Sequence, residues 1–442
     1  MKKVCIIGGG FSGLSLAYYL SRAGVKVELF EKSDRLGGLI STLSLGWGKV
    51  ETAASGLIGS PLVDDLIHEL DLEYADRPNQ STRARYVFRE RPRKWPLRVG
   101  ETLRLTQGLS KIGLHRALNG VRNAGNETSG AKPLGITAKE WVSRQFGASA
   151  FDYLIGPALQ GVLGTDDVAA DTLLDYVRGM RKKGRSKGQN DGFKNGDNQK
   201  RYPRGTVSPK QGMGDLILAL SKKVEELGCI THLNTAAEWR DDITTVIAAP
   251  AYVAAGMVSE RLPELAHELA KIQYLPLTTA TVAFSQNDRH DEITNGFGCL
   301  FPKSEKFNAL GVLFSSSIFD RPHDGEIETW LFGGPQASDE IIINKICIDR
   351  ARLLRRIAGG NEVHRKLLKN FKITHWSRAL PHYDLSTSEV LRKVPRILAD
   401  SRNARRGHGA GLYLTGNYLG EIGLGRILAR NFELARQIAS DI

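Results

Sequence analysis

The chain has 442 residues, too many for a single ordinary core, so two or three structural units are expected. Its composition, 41% hydrophobic and 25% charged, is that of a soluble globular protein, and no run offers the ~20 apolar residues that span a membrane. The net charge of +13 is partly carried by two basic segments, Arg83–Arg98 and Arg178–Arg204. They lack a nucleic-acid recognition motif and are interpreted as solvated loops or as surfaces that attract anionic lipid or an acidic ligand.

The N-terminal segment has the order of elements that binds a dinucleotide. The elements are a strand (Val4–Ile7), a G-x-G-x-x-G turn (Gly8, Gly10 and Gly13), a helix (Leu14–Ala23), a strand (Val25–Phe30) and an acidic residue (Glu31). Glycines let backbone amides approach a pyrophosphate at the helix N-terminus, and the acidic side chain can accept hydrogen bonds from ribose hydroxyls. A Rossmann-type α/β fold is predicted in preference to a glycine turn without a ligand. Because the first strand leads into glycines and not into a cleavage site, a cytoplasmic protein is expected.

Two features after the second strand distinguish FAD from NAD. Arg35, Gly37 and Gly38 supply a second glycine turn, and Glu51 follows in the segment GWGKVETAASG. This pattern resembles the extended FAD signature of the flavin amine oxidase superfamily. In that signature R-x-G-G lies against the diphosphate and a later Glu contacts the ribose region; Ala53 stands where the motif usually has Gly. Non-covalently bound FAD is therefore the predicted cofactor.

Two distant segments are expected to complete the dinucleotide-binding unit. The first has strands at Ile230–Leu233 and Thr244–Ala249; the apolar run Ile243–Val258, broken at Pro250, is interpreted as a strand plus a connection. The second has a C-terminal strand (Leu412–Thr415), a glycine-containing turn and an amphipathic helix. The helix N-terminus would stabilise the negative charge that develops at flavin N1/O2 on reduction. The helical pattern alone is typical of plain packing on the sheet, and the turn glycines favour the cofactor role.

The middle of the chain is predicted to hold a helical and an α+β insertion. Ser60-Pro61 fits the start of a helix, and Thr137 with Glu140 fits a capping box whose helix is expected to continue past Tyr153. Strand-like runs at Thr279–Phe284, Ala309–Phe314 and Thr329–Phe332 alternate with a helix near Ile341–Ile357. The predicted domains are 1–80, 205–260 and 395–442 for FAD binding; 81–204, mainly helical and a candidate for facing a membrane; and 261–394, a substrate domain with an antiparallel sheet.

The cysteines and histidines form neither a disulfide pattern nor a metal-binding pattern. Cys5, Cys229, Cys299 and Cys347 lie far apart without a CxxC pair, and the ten histidines are dispersed. Neither a disulfide framework nor a metal site is predicted.

Four further segments resemble one family in the same superfamily: the oxygen-dependent, FAD-containing protoporphyrinogen oxidases and their coproporphyrinogen-oxidising relatives. The segments are GPALQGVLGTDD (Gly156–Asp167), SPKQGMGDL, THWSRALPHYD and LTGNYLGEIGLG. They are similar to the family's P-x-x-x-G-x-x-x-G-D, G-G-M-x-x-L, W-x-x-A-x-P-x-Y and A-G-N-Y-x-x-G-x-G segments. Gly416-Asn417 stands where amine oxidases proper usually have Gly-Glu, which favours the porphyrinogen oxidases. Gln211 replaces the first Gly of G-G-M, and the chain is short for the family.

This resemblance implies an enzyme of haem biosynthesis that removes hydride equivalents from a reduced tetrapyrrole, with flavin N5 as acceptor and O₂ as the final oxidant. It also implies a peripheral contact with the membrane and no dedicated catalytic acid or base. Arg85 is expected to face a substrate carboxylate, unless it is a solvated strand arginine. Trp376 and Tyr383 are expected near the flavin, unless they are plain core. The residues expected to contact FAD are Gly8, Gly10, Phe11, Ser12, Gly13, Glu31, Lys32, Arg35, Gly37, Gly38, Glu51, Ala237, Trp376, Gly416, Asn417, Gly423, Leu424 and Gly425.

Two other functions are compatible with the sequence. One is a different oxidoreductase, either a flavin amine oxidase, which would need an aromatic cage near the flavin, or a carotenoid-desaturase-like protein with a long lipid tunnel. The other is a catalytically silent paralogue that carries FAD or porphyrin, which would bind without turnover. The sequence does not distinguish between the two porphyrinogens, and it does not indicate an oligomeric state.

Overall fold

A computed structural model describes residues 3–76, 84–122, 134–185, 203, 205–285, 293–355, 360–404 and 411–442, without the side chains of 113–122, 179–185, 360–363 and 403–404. Most of the basic segment 178–204, and Arg83 of the other basic segment, lie outside these ranges. The chain divides into two compact units. The first comprises Met1–Asp76, Tyr176–Gln273 and Glu389–Ile442, and the second Arg77–Asp175 and Tyr274–Ser388. Separate helical and substrate domains stay a prediction.

The strands are numbered in chain order. They are β1 (Lys3–Ile7), β2 (Lys26–Phe30), β3 (Thr42–Leu45), β4 (Gly48–Glu51), β5 (Leu57–Ile58), β6 (Arg85–Arg89), β7 (Arg91–Arg93), β8 (Thr206–Val207), β9 (Ile230–His232), β10 (Thr244–Ile247), β11 (Tyr274–Phe284), β12 (Gly298–Leu300), β13 (Gly311–Leu313), β14 (Glu326–Gly333), β15 (Leu368–Pro381) and β16 (Leu412–Leu414).

The helices are numbered in the same way. They are α1 (Phe11–Arg22), α2 (Pro61–Glu69), α3 (Val99–Arg122), α4 (Ala138–Phe146), α5 (Ala148–Ala150), α6 (Gly156–Leu163), α7 (Ala170–Arg185), α8 (Met213–Glu226), α9 (Ala251–Val258), α10 (Pro263–Ala270), α11 (Ser315–Ile318), α12 (Asp339–Leu353), α13 (Gly360–Leu367), α14 (Leu385–Ala404) and α15 (Leu424–Asp441). Within the described ranges, no helix is both long and apolar enough to cross a bilayer.

The first unit is built on a five-stranded parallel sheet in the order β16-β10-β1-β2-β9. All four residues of β10 are buried, as are the last four of β1, because strands covered by helices on both faces have no solvent side. Helix α1 packs against α8 and α15, and the apolar residues of these helices share one core with β1 and β2. The two strands predicted at the N-terminus and the three strands predicted in the two distant segments therefore belong to one sheet.

The apolar run Ile243–Val258 contains the predicted strand, but a helix follows it where a connection was predicted. The strand ends at Ile247, and Pro250 is the N-cap of helix α9. The helix buries Ala251, Ala254 and Val258 on one face. In so short a run the spacing of apolar residues does not distinguish a buried helix from a connection. The helix was therefore wrongly predicted as a connection.

The second unit is built on a seven-stranded sheet in the order β15-β11-β14-β13-β12-β6-β7. Every pairing is antiparallel except that of β12 with β6, so the predicted antiparallel strands are present. Their ends differ from the predicted ones by a few residues, and β15 extends over the whole THWSRALP segment.

The helix predicted to continue past Tyr153 is interrupted. Thr137 and Glu140 form the predicted capping box, but α4 ends at Phe146 because Gly147 adopts a φ of +92°. The chain then forms the short helix α5 and one turn of π-helix at Phe151–Ile155, in which the amide of Gly156 donates to the carbonyl of Phe151. π-Helical turns inside α-helical sequence are rare and leave no periodic signal, so the interruption was not predictable.

A buried ion pair joins helix and sheet in the second unit. The Arg350 guanidinium, fully buried on α12, donates to Glu328 Oε1 at 2.8 Å and to Glu326 Oε2 at 3.1 Å on β14. It also donates to Nδ1 of buried His364 at 2.8 Å and lies 3.9 Å above the ring of Phe284. Since a buried charge without a partner is costly, this network fixes α12 on the sheet more specifically than apolar contact would.

A second ion pair holds the β6–β7 hairpin against helix α3. The Arg89 guanidinium donates to both carboxylate oxygens of Glu101, at 2.6 and 3.0 Å, and stacks 4.0 Å above the ring of Tyr153 in the π-helical turn. Glu101 also accepts from the amide of Arg98, one residue before α3. The hydrogen bonds from Arg89 outweigh burial and lower the pKa of Glu101 from an ordinary 4.5 to about 2.

We predict that Glu101→Gln lowers the free energy of unfolding at neutral pH by about 1 kcal/mol, the scale of a partly exposed charge-assisted pair. Because folding lowers the pKa of Glu101, its contribution is complete above about pH 4.5 and is lost as the pH falls towards 2. Urea denaturation of wild type and variant between pH 7 and pH 3 measures this difference. Glu90→Gln, which removes only exposed pairs to Arg93 and Arg98, is the control. A Glu101→Gln effect that stays constant down to pH 3 would contradict the account.

Candidate functional site

The candidate site of the first unit lies at one edge of its parallel sheet. In parallel strands all carboxyl ends meet at the same edge, and ligands of open α/β sheets bind outside that edge. Gly8 follows β1, Glu31 follows β2 and Thr415-Gly416 follows β16. The sheet therefore brings two N-terminal segments together with one near the C-terminus. Strand β1 lies between β10 and β2, where the chain connections reverse direction.

The first glycine turn has no room for side chains on its inner side. A Cβ atom on Gly8, whose φ is +111°, would lie 2.9 Å from the carbonyl carbon of Ala248. A Cβ on Gly13 would lie 1.9 Å from the carbonyl oxygen of Gly8, so helix α1 can approach β1 only if this residue is glycine. A Cβ on Gly9 would collide with Leu36 at 2.4 Å.

The second glycine turn packs directly on the first. The amide of Gly37 donates to the carbonyl of Gly9 at 2.8 Å, and Gly10 and Gly37 pair as a parallel bridge. Gly37 and Gly38 have φ values of +104° and +60°, which side-chain-bearing residues rarely adopt. The Arg35 guanidinium donates to the carbonyls of Leu36, Gly38 and Ile40, and so holds this turn in shape. The predicted contact of Arg35 with a diphosphate stays a prediction.

The N-terminus of helix α1 fits a pyrophosphate. The N-cap residue is Gly10, which has no capping side chain, and the first turn carries no acidic residue. The first amides of a helix have no partner within the helix, and they form its positive end. A Cβ on Gly10 would meet only Gly38 Cα, at 4.0 Å, so this side of the turn is open. The amides of Phe11, Ser12 and Gly13 can thus accommodate phosphate oxygens at close range.

Glu31 is held as a carboxylate beside the first glycine turn. Its Oε2 accepts from the amide of Gly9 at 2.7 Å, and its Oε1 accepts from the amide and hydroxyl of Ser33 at 2.9 and 2.7 Å. Burial opposes ionisation, but these hydrogen bonds outweigh burial and keep the pKa of Glu31 below its usual value. An ionised acceptor at this position suits ribose hydroxyls, which donate. Lys32 is exposed next to it.

Glu51 joins the β3–β4 hairpin to helix α8. Its Oε1 accepts from the amide of Met213 at 3.1 Å, and its Oε2 accepts from the Thr42 hydroxyl at 2.6 Å. Gly212, at φ +116°, leaves room for this contact, since a Cβ there would lie 2.4 Å from Thr42 Oγ1. Gln211, the departure from G-G-M, accepts from Lys49 Nζ through its main-chain carbonyl at 3.1 Å. The predicted contact of Glu51 with a cofactor stays a prediction.

The C-terminal segment forms a second helix N-terminus without a capping side chain. Strand β16 ends at Leu414, Gly416 adopts a φ of +153°, and Asn417 starts a 3₁₀ turn. Gly423, at φ +91°, is the N-cap residue of helix α15, and a Cβ on it would meet nothing within 4 Å. Gly425 is buried and Leu424 is half-buried. The positive end of α15 is thus also available to a negatively charged ligand group.

The remaining predicted residues lie in different places. Ala237 is in the first unit, in a segment after β9 that has no regular secondary structure; the amide of Thr235 in this segment donates to the carbonyl of Glu31 at 2.9 Å. Trp376 lies in the second unit, half-buried on β15 and paired with Leu277. Arg85 is exposed on β6, and its guanidinium lies 3.7 Å above the ring of Phe297. Within the described ranges, no group of His, Cys, Asp and Glu side chains forms a metal site.

Sequence reasoning missed the polar residues that connect these segments. Ser33 lies in the bend after β2 and Thr42 at the start of β3, and nothing in a single sequence indicates that their hydroxyls donate to Glu31 and Glu51. Asn431 is fully buried at an apolar position of α15, and its amide donates to the carbonyl of Ser12. An asparagine within the apolar stripe of an amphipathic helix was the signal available for it.

Comparison with known proteins agrees with this geometry. Residues 6–70 match the family model of the NAD(P)-binding Rossmann-like domain. The chain is 25% identical to protoporphyrinogen oxidase 2, chloroplastic/mitochondrial, of Arabidopsis thaliana, over 99% of this chain and 94% of that protein. It is 36% identical to coproporphyrinogen III oxidase of Mycobacterium tuberculosis, over 22% of each chain. The solved structure of a putrescine oxidase triple mutant matches 100% of this chain and 99% of that chain with a TM-score of 0.69 at 15% identity.

These similarities confirm two predictions made from the sequence. The α/β architecture with a Rossmann-type dinucleotide-binding domain is confirmed by the family model and by the solved structure. The resemblance to protoporphyrinogen oxidases is confirmed over nearly the whole chain.

We predict that Gly13→Ala abolishes cofactor retention, because its methyl group would lie 1.9 Å from the carbonyl oxygen of Gly8 and push α1 away from β1. The flavin absorbance per chain of the purified protein measures retention. The control is Gly256→Ala on α9 in the same unit, where a Cβ meets nothing within 4 Å. A Gly13→Ala protein that keeps its full flavin content would show that close approach of α1 to β1 is not required.

Proposed function

We propose that this chain, an FAD-dependent oxidoreductase related to the protoporphyrinogen oxidases, oxidises protoporphyrinogen IX or coproporphyrinogen III to the porphyrin in haem biosynthesis. The observation that carries the proposal is sequence similarity to protoporphyrinogen oxidases that extends far beyond the dinucleotide-binding motif, over almost the entire chain. FAD, when bound, supplies an acceptor for the substrate's hydride at flavin N5 and passes the electrons to O₂.

The protein's first proposed task is to hold the FAD diphosphate and ribose. The amides of Phe11, Ser12 and Gly13 at the start of α1 would donate to phosphate oxygens, and ionised Glu31 would accept from the ribose. Because both groups are already held by main-chain hydrogen bonds, little order has to be gained on binding. The other proposed contacts in this unit are Gly8, Gly10, Lys32, Arg35, Gly37, Gly38, Glu51 and Ala237.

The second proposed task is to favour reduced flavin. The positive end of α15 would face the N1/O2 edge, where negative charge develops on reduction, and would stabilise the reduced form by a fixed dipole. Gly416, Asn417, Gly423, Leu424 and Gly425 are the proposed contacts there. In the second unit Trp376 is proposed to pack near the flavin. No side chain is assigned as a catalytic acid or base.

Arg85 is the proposed partner of a substrate carboxylate. Its guanidinium carbon lies 3.7 Å from the centre of the Phe297 ring, and a guanidinium is a planar fork of N–H donors. A planar donor fork of this kind matches a propionate carboxylate. A tetrapyrrole with acidic side chains therefore fits this residue better than a neutral or cationic substrate does.

Peripheral contact with an anionic membrane is also proposed. The connection after β7 and the start of α3 expose three apolar residues, Trp95, Val99 and Leu103, which are 50%, 80% and 57% accessible. The basic residues Lys94 and Arg98 lie beside them in the sequence and are also exposed. Exposed apolar groups flanked by cations suit a bilayer surface that carries negative lipids.

We predict that Val99→Glu reduces cosedimentation with vesicles that contain phosphatidylserine, because it places a negative charge among the exposed apolar groups. Vesicles of neutral lipid should bind neither the wild type nor the variant strongly.

We predict that the FAD-loaded protein is reduced by a porphyrinogen under anaerobic conditions. Titration with protoporphyrinogen IX, and separately with coproporphyrinogen III, should bleach the flavin absorbance, and admission of air should restore it with stoichiometric porphyrin fluorescence. The more effective of the two compounds identifies the substrate. Arg85→Met should raise the porphyrinogen concentration required by roughly tenfold, the cost of one charge-assisted contact, and leave the maximal rate of bleaching unchanged.

Several outcomes would contradict the proposal. A flavin that stays oxidised with both porphyrinogens excludes the oxidase, and bleaching by amines or carotenoids in the same experiment would identify the alternative chemistry. Porphyrinogen binding without bleaching would identify a carrier. Full reduction that is indifferent to Arg85→Met would exclude only the role of Arg85.

A further inference from the structure

Asn431 is a polar residue in the apolar contact between helices α1 and α15. It is completely buried and follows Leu424 and Leu428 along the same face of α15. Burying an amide side chain without hydrogen bonds would cost several kcal/mol, roughly 2–7 depending on the reference state. The position therefore calls for specific partners.

Asn431 makes hydrogen bonds to three different residues. Its Nδ2 donates to the carbonyl of Ser12 at 2.7 Å and to the hydroxyl of Ser15 at 2.8 Å. Its Oδ1 accepts from the hydroxyl of Thr415 at 2.5 Å. Ser15 and Thr415 are also buried, at 0% and 2% exposure, so water does not compete for these bonds.

The partners belong to the segments that form the candidate dinucleotide site. Ser12 is in the first turn of α1, within the G-x-G-x-x-G sequence, and Thr415 immediately precedes Gly416-Asn417 at the end of β16. Asn431 itself lies on the helix that begins at the Gly423 turn. One side chain thus joins the first turns of α1, the end of β16 and helix α15.

We propose that Asn431 is a positioning residue for FAD: it sets the register of α15 against the first turn of α1 and the end of β16, so that both helix N-termini face one bound dinucleotide. Apolar contacts between helices are non-directional and tolerate small shifts along the axis. A buried asparagine with fixed hydrogen-bond partners does not tolerate such shifts, because they would break its hydrogen bonds. Single polar residues specify the register of helix pairs in this way. Amides that must contact one ligand tolerate displacements of only about 0.5 Å.

Thr415→Val tests this role with little change of shape. It removes the hydroxyl that donates to Asn431 and leaves a side chain of the same outline in place. The matched control is Thr281→Val in the second unit: Thr281 is also 2% exposed, and its hydroxyl bonds the Thr329 hydroxyl at 3.0 Å. Asn431→Asp is the second variant, because it keeps the acceptor for Thr415 and loses both donated bonds.

The full-length FAD-loaded proteins are compared by the dissociation constant for FAD, from flavin fluorescence released on dilution, by the flavin absorption spectrum and by the melting temperature. The expected result is an FAD dissociation constant raised on the order of tenfold in Thr415→Val, and more in Asn431→Asp, with an altered spectrum. Thr281→Val should lower the melting temperature about as much as Thr415→Val, yet leave the dissociation constant and the spectrum unchanged.

Equal FAD dissociation constants in wild type, Thr415→Val and Asn431→Asp would overturn the proposal. A dissociation constant raised as much in Thr281→Val as in Thr415→Val would overturn it too. The assay contains no porphyrinogen, so either failure leaves the proposed oxidase activity untouched. A wild-type protein that binds no FAD would overturn this inference and the proposed function together.

Discussion

Parallel pairing of β1 with both β2 and β10 is the constraint on which the dinucleotide site depends. It fixes the carboxyl ends of the strands at one edge and leaves very little space between β1 and the helix that follows. This lack of space requires glycine at positions 8 and 13. A Cβ on Gly8 would overlap the main chain of Ala248, which follows β10, and a Cβ on Gly13 would overlap the carbonyl oxygen of Gly8. Gly10 serves the other side of the same turn: it leaves the amides at the start of α1 uncovered, so close packing and anion binding both depend on glycine but at different positions.

Charge at this edge is arranged by the main chain more than by side chains. Helices α1 and α15 both start at a glycine without a capping group, and neither carries an acidic residue in its first turn. The acidic residues nearby, Glu31 and Glu51, are engaged by amides and hydroxyls. This edge of the sheet therefore presents two positive helix ends to a ligand, and the Glu31 carboxylate is held where it can accept from hydroxyls. In the second unit, by contrast, side-chain pairs such as Arg89–Glu101 and Arg350–Glu328 hold buried charge, and the Arg85 guanidinium lies over an aromatic ring.

Much of this architecture follows from local sequence. The β-branched run before GGGFSG, the Ser60 N-cap and the Thr137 capping box each carry enough local information to specify an element, and the structure has all three. What could not be predicted depends on contacts between distant residues. The π-helical turn at Phe151–Ile155, the helix after Pro250 and the full length of β15 are set by packing, not by periodicity. Likewise, Glu51 could be expected in a binding role, but its bond to the amide of Met213 depends on a partner 162 residues away.

The most direct test of the account is to identify what the purified protein carries. The protein should be yellow, and heat or acid should release FAD, close to one per chain and without covalent attachment, as chromatography with absorbance detection would show. A colourless protein that yields no flavin, or one that retains a nicotinamide dinucleotide instead, would contradict the assignment of both helix N-termini to an FAD site.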